Sequence, residues 1–188
     1  MRDPTYTKEL IDETALRLFV EKGIAETTIR DIAAAAGIAE GTLYRHYPSK
    51  EQLAWDLFAK NFTAFALDLD QLQQNYPTCR AKMEAMIRHY CTFFDKDPIL
   101  FSYLLLELHG HLRKVTPEMP NPITVLRNVI GDGIARGEVS KRDRELAASM
   151  VLGIVLQVAL SKVYGRTKQS LASLADTIVA AVFRVLEV

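Results

Sequence analysis

The sequence has few of the features that define several common protein classes. Only two cysteines, Cys79 and Cys91, occur in 188 residues, so no disulfide framework supports the fold. Lys plus Arg and Asp plus Glu each number 23, and this balance gives no overall positive field that would attract nucleic acid. The N-terminal stretch MRDPTYTKEL lacks the apolar centre of a signal peptide. These absences predict a cytoplasmic protein.

The longest nearly apolar run is also short. It extends from Leu146 to Leu160, spans 15 residues and includes Ser149 and Gln157. A membrane-spanning helix needs about 20 apolar residues. We therefore expect no membrane partner.

Apolar residues recur at helical spacing along nearly the whole chain, and no segment has the alternation of a strand. Thr28 with Asp31, and Ser49 with Gln52, match the capping box that begins a helix, so a long helix is predicted from Lys50. Glycine commonly ends helices. Helix ends are therefore predicted at Gly23, Gly37, Gly137 and Gly165. The pattern predicts an all-α protein.

One segment, TTIRDIAAAAGIAEGTLYRHYPSK, begins as a helix, ends at Gly37 and starts a second, short helix. On a helical wheel Leu43 and Tyr47 share one side of this short helix, and the small alanines before Gly37 allow two helices to approach closely. Gly41 and Arg45 point the opposite way, flanked by Thr42 and Tyr44. This is the pattern of a helix–turn–helix, whose short second helix fits the major groove of DNA.

The side chains on the exposed edge suit DNA, although the local charge does not. Hydroxyl groups and a His ring donate to phosphate oxygens, and Arg can bind guanine. Lys50 lies in the first turn of the next helix, where free N–H groups favour an anion. Residues 1–60 nevertheless contain eight Lys/Arg and ten Asp/Glu, so any positive surface is local. An ordinary surface helix of an all-α protein is the alternative interpretation.

The segment FVEKGIAETTIRDIAAAAGIAEGTLYRHYPSKEQL resembles the N-terminal signature of the TetR family of transcriptional repressors. The resemblance comprises the G-x-x-x-T-T lead-in, the I-A-x-x-A-G helix and turn, the G-T-L-Y-x-H-aromatic helix and the S-K-E-x-L start of the next helix. It covers about the first quarter of the chain. A later stretch, IARGEVSKRDRELAASMVLG, is similar to the family's approach to its dimerisation helices.

The resemblance implies a three-helix DNA-binding domain at 1–50 and a larger helical ligand-binding and dimerisation domain at 51–188. It implies phosphate contacts for four residues and base-edge positions for four others, with Arg45 at a variable position. Two residues depart from the usual pattern: Ala39 replaces a frequent Ser at the helix start, and Glu40 brings an acid near phosphates. The implied phosphate contacts are Thr28, Thr42, His46 and Lys50; the residues implied nearest the bases are Arg30, Glu40, Gly41 and Tyr44.

Aromatic side chains concentrate in the middle of the chain, where core packing is one interpretation and a mainly apolar ligand pocket is the other. The resemblance favours the pocket, because such proteins release DNA when a small molecule enters this domain. The effector is expected to be apolar or amphipathic. The candidate ligand-binding residues are Phe62, Phe65, His89, Tyr90, Phe93, Phe101 and His109.

Two late segments, ELAASMVLGIVLQVAL and LADTIVAAVFRVLEV, are unusually apolar. Burial in the core of one chain is the simpler interpretation, but we expect a homodimer formed through both helices, with a four-helix interface about a two-fold axis. A dimer also suits a helix–turn–helix, because one short helix reads few bases. The candidate interface residues are Val151, Gly153, Val155, Val158, Leu174, Ile178, Ala181 and Val185.

The sequence predicts a ligand-responsive, DNA-binding repressor. The class that competes with it is a helical-bundle enzyme or metal-binding protein with an incidental helix–turn–helix. A third class is a protein–protein interaction module. No phosphate loop or nucleophile elbow occurs in the sequence. Glu107, His109 and His111 invite a metal interpretation, but side chains two apart on a helix diverge. We expect no enzyme activity, no metal and no cofactor. Cys79 and Cys91 are expected to be packing residues, with a redox-sensing pair left open.

Overall fold

The computed structural model describes residues 4–140 and 143–187, and all regular structure within these ranges is helical. The all-α prediction is therefore confirmed. A short 3₁₀ turn, Leu112–Lys114, follows α6. The α-helices are α1 (Pro4–Lys22), α2 (Ile29–Ala35), α3 (Glu40–His46), α4 (Lys50–Gln74), α5 (Cys79–Lys96), α6 (Pro98–His111), α7 (Pro122–Ala135), α8 (Arg144–Val163) and α9 (Leu171–Leu186).

Local capping explains where several of these helices begin and end. Thr28 Oγ1 accepts the N–H of Asp31 at 3.1 Å, and the carboxylate of Asp31 accepts the N–H of Thr28 at 3.0 Å. Ser49 Oγ accepts the N–H of Gln52 at 3.0 Å, beside the start of α4. The four predicted glycine stops all have positive φ, a conformation that favours glycine. The capping box at Thr28 and all four stops are confirmed. At Ser49 the hydroxyl cap is present, while the side-chain amide of Gln52 donates to Asp56 Oδ1 at 2.7 Å.

The chain forms two compact units. The first runs to Asn61 and includes Ser102–Val115, and the second consists of Phe62–Phe101 and the chain from Thr116 onward. The predicted division after residue 50 differs from these units, because α4 is one continuous helix that contributes residues to both. Its early residues Leu53 and Phe58 are fully buried and belong to the first unit.

The core of the first unit joins α1 and α2 to residues of α3, α4 and α6. Phe19 stacks on Tyr103 with ring centroids 5.9 Å apart. The hydroxyl of Tyr103 donates to the carbonyl oxygen of Ala54 at 2.6 Å. Among the fully buried side chains of this unit are Ile11, Ala15, Ile32, Leu43 and Leu53. Helices α2 and α3 are thus held by a continuous apolar interior.

In the second unit, carboxylates from other elements bind the free N–H groups at two helix starts. The Asp95 carboxylate accepts from Leu171 N at 3.0 Å and from Ala172 N at 2.8 Å, at the start of α9. Glu138, in the loop after α7, accepts from Cys79 N at 2.5 Å, at the start of α5. Such bonds satisfy donors that a helix cannot pair internally. They fix α5 against α9 and against the end of α7.

Helix α8, with 20 residues, is longer than the 15-residue apolar run from Leu146 to Leu160 that it contains. At 20 residues it is long and apolar enough to cross a membrane by length and composition alone. In this structure, however, α8 packs against α7 and α9, and Ala147, Val151 and Ala159 are buried on the packed side. This packing accounts for the buried face of α8 only, because most of the apolar run is not buried within the chain.

Candidate nucleic-acid interface

The buried edge of α3 is held against α2. Leu43 is fully buried, Tyr47 is only 2% exposed, and Ala33 on α2 is 1% exposed. The turn between the two helices contains Gly37, whose φ is 64°, and Ile38 N donates to Ala33 O at 3.0 Å. The short second helix is therefore fixed by its apolar side, as the helix–turn–helix pattern predicts.

The opposite edge of α3 lies at the surface. Tyr44 is 53% exposed, Glu40, Gly41 and Arg45 are also exposed, and Thr42 and His46 are half-buried. The guanidinium of Arg45 donates to Thr42 Oγ1 at 3.0 Å, so two of the predicted DNA contacts already touch each other. The start of α3 has no side-chain cap at Ala39. Six of the nine predicted DNA-binding residues thus lie on one seven-residue helix.

Thr28 and Arg30, at the start of α2, are exposed. Thr28 caps α2, where its hydroxyl oxygen accepts the N–H of Asp31. The hydrogen bonds from Thr28 lower the pKa of Asp31, so its carboxylate stays ionised and the capping box is intact at neutral pH. Both residues remain predicted contacts.

Lys50 occupies a position that the sequence did not reveal. Its ammonium donates to the carbonyl oxygens of Ile24 at 2.6 Å and Ala25 at 3.2 Å, in the turn between α1 and α2. An ammonium has three donors, so two carbonyl contacts leave one for a phosphate oxygen. Lys50 therefore ties the start of α4 to this turn, and its phosphate contact remains a prediction.

Tyr47 has a polar role that sequence reasoning missed, since it was assigned only to apolar packing. Its hydroxyl donates to Asp12 Oδ1 at 2.5 Å and accepts a hydrogen bond from Lys8. Burial, with the adjacent Asp12 carboxylate, raises the pKa of Tyr47 well above its usual value. A groove of about 320 Å³ opens here, lined by Lys8, Asp12, Tyr47, Asp56, Leu57, Ala59 and Lys60. The sequence does contain one signal of this role: position 47, on the buried side of the short helix, is a tyrosine and not a purely apolar residue.

The predicted ligand-binding aromatics of the second unit form one cluster. Phe65 lies edge-on to Phe101 with centroids 5.1 Å apart, and Tyr90 and Phe93 lie 5.7 and 5.8 Å from Phe101. Burial raises the pKa of the Tyr90 phenol. Rings at these distances are in contact. A ligand that enters between them must displace at least one ring.

His89 lies at the margin of this cluster. Its ring centroid is 4.7 Å from that of Phe93, and its Nε2 is 2.5 Å from Asp68 Oδ2. Phe62, in the same unit, is buried. His109 is exposed and belongs to the first unit. The structure therefore groups six of the seven predicted residues in one unit and separates His109.

The two histidines considered for a metal site face different surroundings. His109 is exposed, whereas His111 is buried, with its ring 4.8 Å from Phe58 and 5.7 Å from Trp55. Among the described residues there is no group of three His, Cys, Asp or Glu side chains that could hold a metal ion. Neither ring nitrogen of His111 has a hydrogen-bond partner. Burial, assisted by Lys114, lowers the pKa of His111.

Both cysteines are buried within the second unit. Burial raises the pKa of Cys79 to about 11 and the pKa of Cys91 to about 11. The thiolate is the reactive form, so burial disfavours oxidation of both side chains at neutral pH. The environment of Cys79 and Cys91 is that of small packing residues.

The predicted dimer residues on α8 divide between two faces. Val151 is 2% exposed and Val155 is buried, so both pack inside the chain against neighbouring helices. Gly153 is exposed, and a Cβ built on it meets no atom within 4 Å; Val158 is half-buried. The exposed side of α8 also carries Leu146 and Met150. We therefore correct the candidate interface on α8 from Val151 and Val155 to this exposed side.

The predicted residues on α9 divide similarly. Ile178 is buried in the second unit, which assigns it to the core. Leu174, Ala181 and Val185 are half-buried. The sequence could not separate the two faces of α8, because α8 is apolar around most of its circumference.

Comparison with known proteins places this geometry among bacterial regulators. Residues 11–57 match the family model for "Bacterial regulatory proteins, tetR family". A relative from Bacillus subtilis (strain 168), "Fatty acid metabolism regulator protein", is 24% identical over 173 residues, which cover 89% of each chain. The "HTH-type transcriptional repressor KstR2" of Rhodococcus jostii (strain RHA1) is 41% identical over 87 residues, 42% of this chain and 38% of the relative.

Solved structures share the whole fold. The fatty acid degradation regulator FadR from Bacillus halodurans superposes with a TM-score of 0.82 at 21% identity, covering 97% of this chain and 96% of that one. FadR from Bacillus subtilis, solved in complex with stearoyl-CoA, superposes with a TM-score of 0.76 at 21% identity, covering 93% and 96%. This chain thus shares its fold with these two proteins along nearly its full length.

Proposed function

We propose, starting from the fact that this chain belongs to the TetR family of DNA-binding transcriptional regulators, that it is a repressor which binds a palindromic operator as a homodimer and is released by a small molecule. The observation that carries the proposal is the exposed polar edge of α3, fixed from behind by the buried Leu43 and Tyr47. The cytoplasm, where DNA is accessible, is the proposed location.

In the proposed complex, α3 enters the major groove. Tyr44 and Arg45 project from its exposed edge, where they can reach base edges, and Thr42 and His46 lie closer to the helix flank, where hydroxyl and imidazole donors suit phosphate. Glu40 at the start of α3 can accept from a cytosine amino group. Further contacts would come from the start of α2 and the start of α4. Arg30 on α2 would reach towards the bases, and Thr28 beside α2 and Lys50 on α4 would contact phosphate.

We propose a dimer formed through the exposed side of α8 and the half-buried residues of α9. Leu146 and Met150 present apolar surface there, and Gly153 allows a partner helix to approach closely. A two-fold axis makes such an interface self-complementary. Two recognition helices can then read half-sites about 34–36 Å apart on one face of the duplex.

The proposed effector is an amphipathic molecule with a long acyl chain, such as an acyl-CoA. Support comes from two sides: the cluster formed by Phe65, Tyr90, Phe93 and Phe101 is apolar, and the similar FadR of Bacillus subtilis was solved with stearoyl-CoA. Helix α4 begins at Lys50, next to α3, and continues into the unit that contains the cluster. Movement of α4 is the proposed route from effector to DNA.

The operator can be found by selecting bound sequences from random duplex DNA. Repression is then tested by transcription from a promoter that carries the selected site, with and without the protein. Stearoyl-CoA, octanoyl-CoA, stearate and CoA alone would be compared for thermal stabilisation and for release of the selected duplex. Stabilisation and release by long-chain acyl-CoA, but not by CoA, is the expected result. A protein that selects no sequence contradicts the DNA-binding proposal, and one that selects a site but responds to none of these compounds contradicts the effector proposal.

A further inference from the structure

Tyr47, the residue that follows the last turn of α3, combines a buried ring with a hydroxyl in a charged network. The hydroxyl donates to Asp12 Oδ1 at 2.5 Å and accepts from the ammonium of Lys8. That ammonium also lies 4.7 Å from the centre of the Tyr47 ring and 3.4 Å from Asp12 Oδ2. Lys8 and Asp12 are one turn apart on α1. Lys8 and Asp12, on one face of α1, therefore both form hydrogen bonds with the Tyr47 hydroxyl.

Apart from its apolar packing and the turn that joins it to α2, helix α3 has few interactions that fix its direction. It has seven residues, whereas isolated helices shorter than about 12 residues are marginal in water, and Ala39 gives it no side-chain cap. Its buried anchors are Leu43 and Tyr47. The contact of Leu43 is apolar and non-directional. The hydroxyl of Tyr47 forms a directional hydrogen bond, so this bond defines where the end of α3 lies relative to α1.

The first turns of α4 reach the same point. Asp56, Leu57 and Lys60 line the groove that also contains Lys8, Asp12 and Tyr47, and the charge of Asp56 contributes to the raised pKa of Tyr47. The end of α3 is thus held where α1 and α4 converge. If the hydrogen bond between Tyr47 and Asp12 were lost, α3 could tilt while Leu43 stays buried.

We propose that Asp12 is a positioning residue for sequence recognition: by holding the Tyr47 hydroxyl it sets the angle at which α3 presents Tyr44 and Arg45 to the bases. The inference rests on the proposed function of α3 as the element that reads the operator. Base contacts need closer geometry than contacts to phosphate, which many donors can satisfy. Loss of the bond therefore reduces discrimination between sequences more than it reduces binding to DNA in general.

The test uses Tyr47→Phe, which removes only the hydroxyl, with Asp12→Ala and Asp12→Asn, whose amide oxygen can still accept. Tyr103→Phe is the matched control, because its buried hydroxyl donates to Ala54 O at 2.6 Å in the same unit. The measurements are thermal unfolding and the affinity ratio between a selected operator and a scrambled duplex. Tyr47→Phe and Asp12→Ala should lower this ratio roughly tenfold, about the discrimination that one good base contact carries.

Asp12→Asn should restore most of the ratio, and Tyr103→Phe should lower thermal stability while leaving the ratio unchanged. If Tyr47→Phe and Asp12→Ala lower stability like Tyr103→Phe but keep the wild-type ratio, the contact is only structural and the positioning role is overturned. If the wild-type protein itself does not distinguish the two duplexes, the proposed function fails and this proposal fails with it. The wild-type measurement therefore separates the two failures.

Discussion

The ammonium of Lys50 donates a hydrogen bond to the carbonyl oxygen of Ile24 at 2.6 Å. The second acceptor, Ala25 O, lies in the same turn at 3.2 Å. A side chain expected to contact only phosphate thus also holds the turn between α1 and α2. This arrangement gives one lysine two separable roles, in DNA binding and in the stability of the DNA-binding unit.

Lys50→Ala should weaken binding to all duplex sequences alike and reduce the salt slope of binding by about one unit, because one phosphate contact is lost. It should also lower the melting temperature, since two carbonyl groups lose their donor. Titrations at several salt concentrations, with thermal unfolding in parallel, check both effects. An unchanged salt slope with a lower melting temperature would assign Lys50 to the turn alone.

Tyr44→Phe should weaken operator binding and relax sequence preference. Tyr44 is 53% exposed on the outer edge of α3, so removal of its hydroxyl costs a proposed contact with DNA and little stability. The expected loss at the operator is about 0.5–1.5 kcal/mol, the range for one neutral hydrogen bond. Tyr164→Phe, at a 59% exposed tyrosine of the second unit, is the matched control and should bind as wild type. Equal losses on matched and scrambled duplexes would contradict a role in base recognition.

Gly153→Arg should convert the protein to a monomer and abolish tight operator binding. The lone chain has room for the new side chain, since a Cβ at Gly153 meets nothing within 4 Å, whereas a partner helix would bury an unpaired charge. Molecular mass in solution and operator affinity are the measurements. Ala64→Arg, on an exposed position of α4, controls for the added charge. A Gly153→Arg protein that stays dimeric with full affinity would locate the interface elsewhere.

His111 should make the protein less stable as the pH falls. Burial lowers the pKa of His111 in the folded state, so the unfolded chain binds more protons around the usual histidine pKa of about 6.5. Stability is therefore retained above that pH and is lost as the pH falls through it. Urea unfolding at pH 7.5 and 5.5 should show a smaller loss for His111→Leu than for wild type. The exposed His109→Leu should match wild type; equal pH dependence in all three proteins would contradict the role of His111.

Phe101→Trp should abolish the response to the effector while leaving operator affinity intact. Phe101 is buried and its ring contacts Phe65, Tyr90 and Phe93, so a larger ring occupies space that a ligand must enter. Release of labelled operator by stearoyl-CoA is the measurement. If wild-type DNA binding weakens tenfold with effector, linkage requires effector binding to weaken tenfold with DNA, a coupling of about 1.4 kcal/mol. A Phe101→Trp protein that still releases DNA normally would exclude the cluster as the binding site.

Some of this protein could be predicted from short stretches of sequence, because the interactions concerned join residues three or four apart. The capping box of Thr28 and Asp31, the cap at Ser49 and the glycine stops depend on local backbone donors and acceptors. The helical repeat likewise predicted that Leu43 is buried and Tyr44 exposed. All-α architecture, the helix–turn–helix and the outward edge of α3 followed from such local rules.

Other features depended on contacts between residues far apart in sequence, and only the folded chain decided them. Lys50 meets a carbonyl 26 positions away, and the hydroxyl of Tyr47 meets a carboxylate 35 positions away. The periodicity of α8 could not determine which apolar side faces its own core, so Val151 and Gly153 were distinguished only by packing. Sequence periodicity fixes where side chains lie around one helix, whereas their partners depend on how several helices pack together, and that arrangement is a property of the whole chain.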